Sequence, residues 1–326
     1  MKILVILEQR QNKIRKSGIE VLCGAAALAE SQGAELHAAV CGSAITEGDL
    51  KELGAYGAKH VHRVLSAEGL FLNPSFAGNY AALINSLKPE LVMLPGSETV
   101  RDFLPLLAHK TCACAITDCT SVCIESGKIM VERPLMAAKA VSKVETSHAT
   151  VLLGIRPGAY EAVVKQEGAQ AELHNIEPVT VSLVQVLKEQ LKSDSGLKSL
   201  DDADVVVAAG RGVKNDEGYA LINQLAEVLD GAVGCTRTVV ELGLSGADIQ
   251  IGQTGKIVNP GLYIACGISG AIQHTAGMLG SRVIVAINKD AEAPIFNIAD
   301  YGLVGDLFEI LPLLIQEVKE IKKQNL

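Results

Sequence analysis

The sequence predicts an α/β protein built from two parallel-sheet domains. Three observations carry that expectation. Short apolar runs alternate with alanine-rich or helically periodic stretches through residues 1–190, a second alternation begins at 204, and a polar, charged segment lies between them. A length of 326 residues suits two domains. Hydrophobic residues make up 48% and charged residues 20%, ample for sheets buried under helices.

The strand signals of the first half are ILVIL at 3–7, ELHAAV at 35–40, HVHRVL at 60–65 and ELVMLPG at 90–96. Helix patterns fall between them at 18–31, 75–87 and 100–110. Ser75 follows Pro74 and opens the second of these helices, and Pro89 closes the loop after it. Between 120 and 155 three strand-like runs follow one another, SVCIE, KIMVERPL and ATVLLGI, and read as an antiparallel addition to the main sheet. The segment 188–203, KEQLKSDSGLKSLDDA, is broken by Gly196 and sets the boundary: domains at 1–195 and 196–326.

The second half continues with a strand and turn at 204–212, a helix at 216–229, and strands at 232–236, 262–267 and 282–290. A further helix is expected over 269–279. Leu307, Ile310, Leu311, Leu314, Ile315 and Val318 recur at helical spacing, so 306–323 should form a terminal amphipathic helix despite Pro312. No short-period repeat suggests a solenoid.

Composition removes several function classes. Mean hydropathy is +0.28, but no run of eighteen apolar residues exists to span a bilayer. The opening MKILVILEQRQNKIRK has too short an apolar run for a signal-peptide core and reads as a first buried strand, so a cytoplasmic or matrix location is expected. No iron–sulfur cysteine spacing precedes that strand, which argues against a fused ferredoxin module. The net charge of −8 is spread along the chain, Trp is absent and aromatic residues are 3%, which disfavours nucleic acid as a partner. Of eight cysteines, Cys112, Cys114, Cys119 and Cys123 cluster, but no C-x-x-C or zinc-type histidine pair accompanies them, and no metal is expected. Cys23, Cys41, Cys235 and Cys266 sit in apolar patterns and read as small core residues.

Chemistry should gather at four strand ends of the second domain: Gly210-Arg211-Gly212, Cys235-Thr236-Arg237, Gly267-Ile268-Ser269-Gly270 and Asn288-Lys289-Asp290. In a doubly wound sheet these ends converge on one edge, where ligands bind. Glycine permits close approach of backbone to ligand, and Ser269 reads as an N-cap whose following N–H groups face a diphosphate. The same segments also suit ordinary tight βα turns. His274 lies four residues after Gly270, within two turns of the expected helix start, where the dipole disfavours its protonation. It reads either as a satisfied structural histidine or as part of an anion site. Arg237 either pairs with Glu241 four residues on or holds its guanidinium over a ligand. Thr254 either offers its hydroxyl to a ligand or stabilises its own turn. No G-x-S-x-G, P-loop or H-E-x-x-H is present, so no catalytic nucleophile is expected and a bound redox cofactor is favoured.

The run QIGQTGKIVNPGLYIACGISGAIQHTAGM followed by AINKDAEAPIFNIADYG resembles the FAD-binding domain of electron transfer flavoprotein alpha subunits. GRGVK near 210 and GIRPGAY at 154–160 agree with it. The resemblance is dense over the second domain and looser, in the same order, over the first. It implies a nucleotide-hydrolase-like scaffold domain that meets a beta subunit and carries no cofactor, then a doubly wound domain that binds FAD. It further implies single-electron transfer with partner dehydrogenases acting on acyl-CoA or similar donors, and in some relatives electron bifurcation from NADH. Carried onto this chain, the resemblance puts Arg211 and Asn288 at the diphosphate and adenosine end. Gln250, Ile251, Gly252, Gln253 and Thr254 run beside the flavin ring, with the Thr254 hydroxyl near N5, and Arg237 lies over that ring. Ser269, Gly270, Ala271, Ile272, Gln273 and His274 wrap the diphosphate and ribityl chain, His274 reaching the pyrimidine carbonyl. Asp306 and Leu307 approach the adenosine. Thr236 stands where the family usually has Ser, keeping a hydroxyl and adding a methyl. On this reading Arg237, His274 and Thr254 tune the flavin.

Two other readings stay open at this level. One is a non-redox nucleotide-binding or assembly subunit, for which Gly42 and the Gly54–Gly57 stretch offer only weak phosphate signals. The other is an NAD-dependent transferase on a related fold, for which no nucleophile is apparent.

Overall fold

A computed structural model describes residues 1–10, 13–41, 45–65, 76–136, 140–179, 198–200 and 203–324. The chain divides into two compact units, Met1–Leu191 and Lys192–Leu326. The expected boundary at 195/196, most of the segment 188–203 with Gly196, the Pro74-Ser75 helix start and Gly42 lie outside the described residues.

The first unit is built on strands β1 (Lys2–Leu7), β4 (Glu35–Cys41), β5 (His60–Val64), β6 (Leu91–Pro95), β7 (Cys114–Cys119), β11 (Val151–Ile155) and β12 (Glu172–Ile176), with a small hairpin of β2 (Gln9–Arg10) and β3 (Lys13–Ile14) after β1. The seven strands form one all-parallel sheet in the order β12-β5-β4-β1-β6-β11-β7. Alternation along β1 shows why it is covered on both faces. Ile3, Val5 and Leu7 join a core with α1 (Lys16–Gln32), whereas Leu4 and Ile6 join a second core with α3 (Ala77–Leu87) and α4 (Glu98–Thr111). A strand buried on both faces reads as a continuous apolar run, the signal that located it. Helix α2 (Glu47–Ala55) starts with a capping box between Thr46 and Asp49.

One expectation is corrected here. The strand-like runs after 120 do not extend the main sheet antiparallel. β8 (Ser121–Glu125), β9 (Lys128–Leu135) and β10 (Ala140–Thr146) form a separate three-stranded antiparallel sheet. Val151–Ile155 instead inserts parallel between β6 and β7. Its five residues are all buried, whereas β8 and β10 alternate half-buried and exposed positions. Only the former belongs inside a helix-covered sheet.

The second unit is an all-parallel sheet in the order β14-β13-β15-β16-β17. Its strands are β13 (Val205–Ala209), β14 (Ala232–Cys235), β15 (Leu262–Cys266), β16 (Val283–Asn288) and β17 (Tyr301–Val304). Val207 and Ala209 pack with α5 (Asp216–Val228) and α8 (Leu307–Gln324) on one face. Val206 and Ala208 pack on the other face with Ile251, Val258, Ile268, Met278 and Ile295, which lie outside any long helix. The terminal helix forms through Pro312 as expected. The helix expected over 269–279 does not. Only α7 (Ile272–Thr275) is helical there, with Ala271 at its N-cap, and Ser269 caps nothing. Gly277 explains the break: a Cβ on it would sit 2.5 Å from the Gly252 amide, so the chain packs backbone to backbone where a helix would need room.

Among the described residues no helix is long and apolar enough to cross a membrane.

Candidate functional site

Strand order in the second unit reverses beside β13, with β14 on one side and β15 on the other. The connections that leave the carboxyl ends of β13 and β15 therefore pass to opposite faces of the sheet and border a crevice, the place where open parallel sheets bind ligands. Glycine lets the walls meet there. Gly267 has φ +64°, and a Cβ on it would lie 2.7 Å from the Gly212 Cα. The two turns are laced together, the Gly210 amide donating to the Cys266 carbonyl at 2.8 Å and the Gly212 amide to the Gly267 carbonyl at 3.0 Å.

Above these turns opens a cleft of about 820 Å³, large enough for a dinucleotide-sized ligand. Of the residues expected from the sequence, Arg211, Thr236, Arg237, Gln250, Ile251, Gly252, Thr254, Ser269, Ala271, Gln273, His274, Asn288, Asp306 and Leu307 line it. Gln253, Gly270 and Ile272 do not line it. Gln253 instead donates its amide to the Gln273 carbonyl at 2.7 Å, stitching the two loops together. Gly270 is buried behind the wall against Ile295.

The sequence reading missed several lining residues: Lys214, Thr238, Ala293, Pro294 and Gly305. Lys289 and Asp290 line the cleft as well, from the strand end already singled out. Lys214 closes the GRGVK stretch, but nothing local shows that its side chain reaches the cleft. Its ammonium lies 3.8 Å from Asp306 and 5.0 Å above the Phe308 ring, so it is drawn in by α8, almost a hundred residues later.

The polar side chains fall into two groups. Some are committed within the protein. The Asn288 amide donates to the Ile268 carbonyl at 2.8 Å, and its oxygen accepts from the Asp290 amide at 3.0 Å, fixing two strand-end loops to each other. Asp306 accepts from the Phe308 amide at 3.0 Å and starts α8. The Thr254 hydroxyl accepts from the Gln250 side chain at 3.2 Å.

His274 is committed twice. Its Nδ1 lies 3.0 Å from the Ile251 carbonyl and its Nε2 2.8 Å from the Tyr263 hydroxyl. A carbonyl only accepts, so Nδ1 carries the proton and Nε2 accepts from tyrosine. Burial pushes the ring down to about 4, and the bond to the Ile251 carbonyl opposes this only in part. The ring is neutral near pH 7 and has no N–H left for the cleft. His274 lines the cleft, and in this arrangement both of its nitrogens bond within the wall.

Other groups are uncommitted. The Thr236 hydroxyl is buried at the cleft wall with no hydrogen-bond partner, although it stands at the N-cap of α6 (Arg237–Glu241). A buried hydroxyl without a partner costs about 1–3 kcal/mol, which a polar ligand atom would remove. Arg211 and Lys289 form no ion pair among the described residues. Arg237 donates Nε to Glu241 at 2.9 Å, the local pair expected from their spacing. That bond holds the guanidinium plane and leaves its terminal amino groups for a ligand. Uncommitted cations, glycine-lined strand ends and an orphaned hydroxyl together fit a dinucleotide with an anionic diphosphate.

The comparisons with known proteins agree with this geometry. The electron transfer flavoprotein FAD-binding domain matches residues 199–279, and the electron transfer flavoprotein domain matches residues 3–181. The chain is 41% identical over 320 residues to the electron transfer flavoprotein subunit alpha of Syntrophomonas wolfei, covering 97% of this chain and 98% of that protein. It is 38% identical over 324 residues to the corresponding subunit of Bacillus subtilis, covering 98% of each. A protein named FixB from Clostridium saccharobutylicum is 36% identical over 328 residues, covering 98% of this chain and 96% of that protein. Two family matches, one in each half of the chain, and near-full-length relatives named as electron transfer flavoprotein alpha subunits have a single consequence: this chain belongs to the alpha subunits of electron transfer flavoproteins, electron carriers whose second domain binds FAD.

Proposed function

We propose that the cleft of the second unit holds FAD with its diphosphate against the ends of β13, β15 and β16. The flavin ring lies between Arg237 and the 250–254 turn. The observation that carries this reading is the shared cleft: all but three of the cofactor contacts expected from the sequence line one cavity at the sheet's switch point. Arg211 and Lys289 meet the diphosphate, and the Thr236 hydroxyl takes a ligand acceptor or donor as its missing partner.

Bound FAD supplies the capacity to accept and release electrons singly. The protein's part is electrostatic. The Arg237 guanidinium, kept in plane by Glu241, favours the negative charge that reduction leaves on the flavin ring. The Ile251 carbonyl, engaged by His274, fixes the loop that presents Gln250 and Thr254. Because His274 is neutral and fully bonded, its role is to position that loop, and the charge comes from arginine.

The chain acts in the cytoplasm as one half of a heterodimer with a beta subunit, the first unit serving as scaffold and partner surface. The pair carries electrons between a dehydrogenase, acting on acyl-CoA or a similar donor, and an acceptor. Co-purification with the beta subunit tests this: a yellow complex with one FAD per alpha chain in the second-unit cleft is expected. A complex that stays colourless when supplied with FAD contradicts it. Reduction of the same complex by NADH alone separates a bifurcating assembly from a plain carrier.

A further inference from the structure

Sheet order in the first unit gathers a group of side chains that is scattered in the sequence. Glu35-Leu36-His37 lies on β4, His60-Val61-His62 on β5 and Glu172-Leu173-His174 on β12. These strands are adjacent and parallel, with His37 opposite His60, and Glu172 and His174 opposite His60 and His62. Residues two apart share a face, so four imidazoles and two carboxylates come together at one edge of the sheet. The rings stack with centroids 4.9–5.2 Å apart.

Three atoms at the outer end are closest to one another. His60 Nδ1 lies 3.0 Å from His174 Nε2 and 3.4 Å from a Glu172 carboxylate oxygen, and that oxygen lies 3.8 Å from His174 Nε2. Two ligands on a tetrahedral zinc, each ~2.0–2.1 Å from it, are separated by ~3.3–3.4 Å. The observed triangle brackets that spacing. A single proton on one of these nitrogens satisfies one of the three pairs, whereas a cation between them satisfies all three. The other nitrogen of His60, Nε2, lies 3.0 Å from a Glu35 carboxylate oxygen. A carboxylate behind the far nitrogen of a ligating imidazole orients the ring and raises its basicity. His60, His174 and Glu172 are partly exposed, so a cation has access.

We propose that His60, His174 and Glu172 bind a divalent transition metal of the zinc type, with Glu35 orienting His60 and solvent completing the coordination. The two-nitrogen, one-oxygen donor set selects such an ion over magnesium or calcium. No short C-x-x-C or H-x-x-x-H spacing announces the site because its ligands are 112 and 114 residues apart. The ion joins β12, the last strand of the sheet, to β5 through side chains as well as through the backbone ladder. An edge strand is held by a backbone ladder on one side alone, and an ion that binds only the folded state stabilises it.

The test uses the full chain with its flavin, stripped with EDTA and titrated with ZnCl2 by calorimetry. Unfolding of the first unit is followed with and without metal, and a variant with Cys112→Ser, Cys114→Ser and Cys123→Ser removes the accessible thiols. One equivalent is expected to bind, to raise the unfolding temperature and to persist in the cysteine variant. Affinity should fall at least about tenfold in Glu172→Gln, on the exposed edge strand, and in His174→Gln. Co2+ in place of zinc should give the visible bands of a nitrogen- and oxygen-ligated ion. Absence of binding, loss of it in the cysteine variant, or undiminished binding in Glu172→Gln and His174→Gln would each overturn the proposal.

Discussion

The Tyr263 hydroxyl and His274 Nε2 lie 2.8 Å apart inside the wall of the cleft, both residues buried. With Nδ1 donating to the Ile251 carbonyl, this bond completes the histidine and makes it a strut between β15 and the loop that borders the flavin position. Tyr263→Phe removes the donor and leaves a buried acceptor unpaired. The expected cost is about 1–3 kcal/mol, read as a lower urea midpoint for the second unit. An unchanged midpoint means the hydroxyl is not holding the ring.

The same histidine gives the second unit a pH dependence. Its folded value is near 4 and its ordinary value near 6.5. Between those limits the unfolded chain takes up a proton that the folded chain refuses, so stability falls as pH drops from about 6.5 to about 4. The full swing is of order 3 kcal/mol. Urea midpoints measured across this window should lose about one proton's worth of slope in His274→Gln relative to the parent chain. Equal slopes would show that the ring is protonated in the folded state.

Thr236→Val separates ligand binding from folding. The hydroxyl has no partner in the wall, so replacing it with a methyl of similar size should leave the stability of the FAD-free chain unchanged or slightly higher. FAD affinity should fall about tenfold, corresponding to roughly 1.4 kcal/mol for a lost hydrogen bond. Parallel melting and flavin-titration measurements check both halves. Unchanged affinity would place the hydroxyl away from the cofactor.

Gly252 stands where only glycine fits. Its φ is +146°, and a Cβ would lie 2.7 Å from the Gln273 carbonyl oxygen. Gly252→Ala must either push the 250–256 turn off the 271–277 segment or strain the backbone by about 1–3 kcal/mol. The expected result is a folded chain with reduced FAD content per mole and a lower unfolding midpoint.

Much of this structure was legible because buried parallel strands and strand-end glycines leave strong local marks. VVVAA at 205–209 and VLLGI at 151–155 are apolar throughout because both faces are covered. Period alone does not reveal which strands pair, and that is why the runs over 121–135 suit the main sheet by sequence yet form a sheet of their own. β7 was hidden by its cysteines and Asp118, and β12 by its polar edge position, where no residue is fully buried. The helix expected at 269–279 failed because glycine contacts with a distant loop outweigh local periodicity. For His274, spacing correctly brought the residue to the cleft, but its two partners, 11 and 23 residues away, set what its nitrogens do. The histidine group on β4, β5 and β12 was beyond any window, since strand order alone assembles it.

Arg237 is the charge assigned to the flavin ring, and a stepwise reduction titration of the FAD-loaded heterodimer measures its effect. The parent complex and Arg237→Ala are compared under the same mediators. The first one-electron potential should fall by roughly 60 mV for each ~1.4 kcal/mol of lost preference for the reduced ring, so the two one-electron steps move closer together. Identical potentials for the two complexes, with FAD bound at one per alpha chain in both, would contradict this assignment.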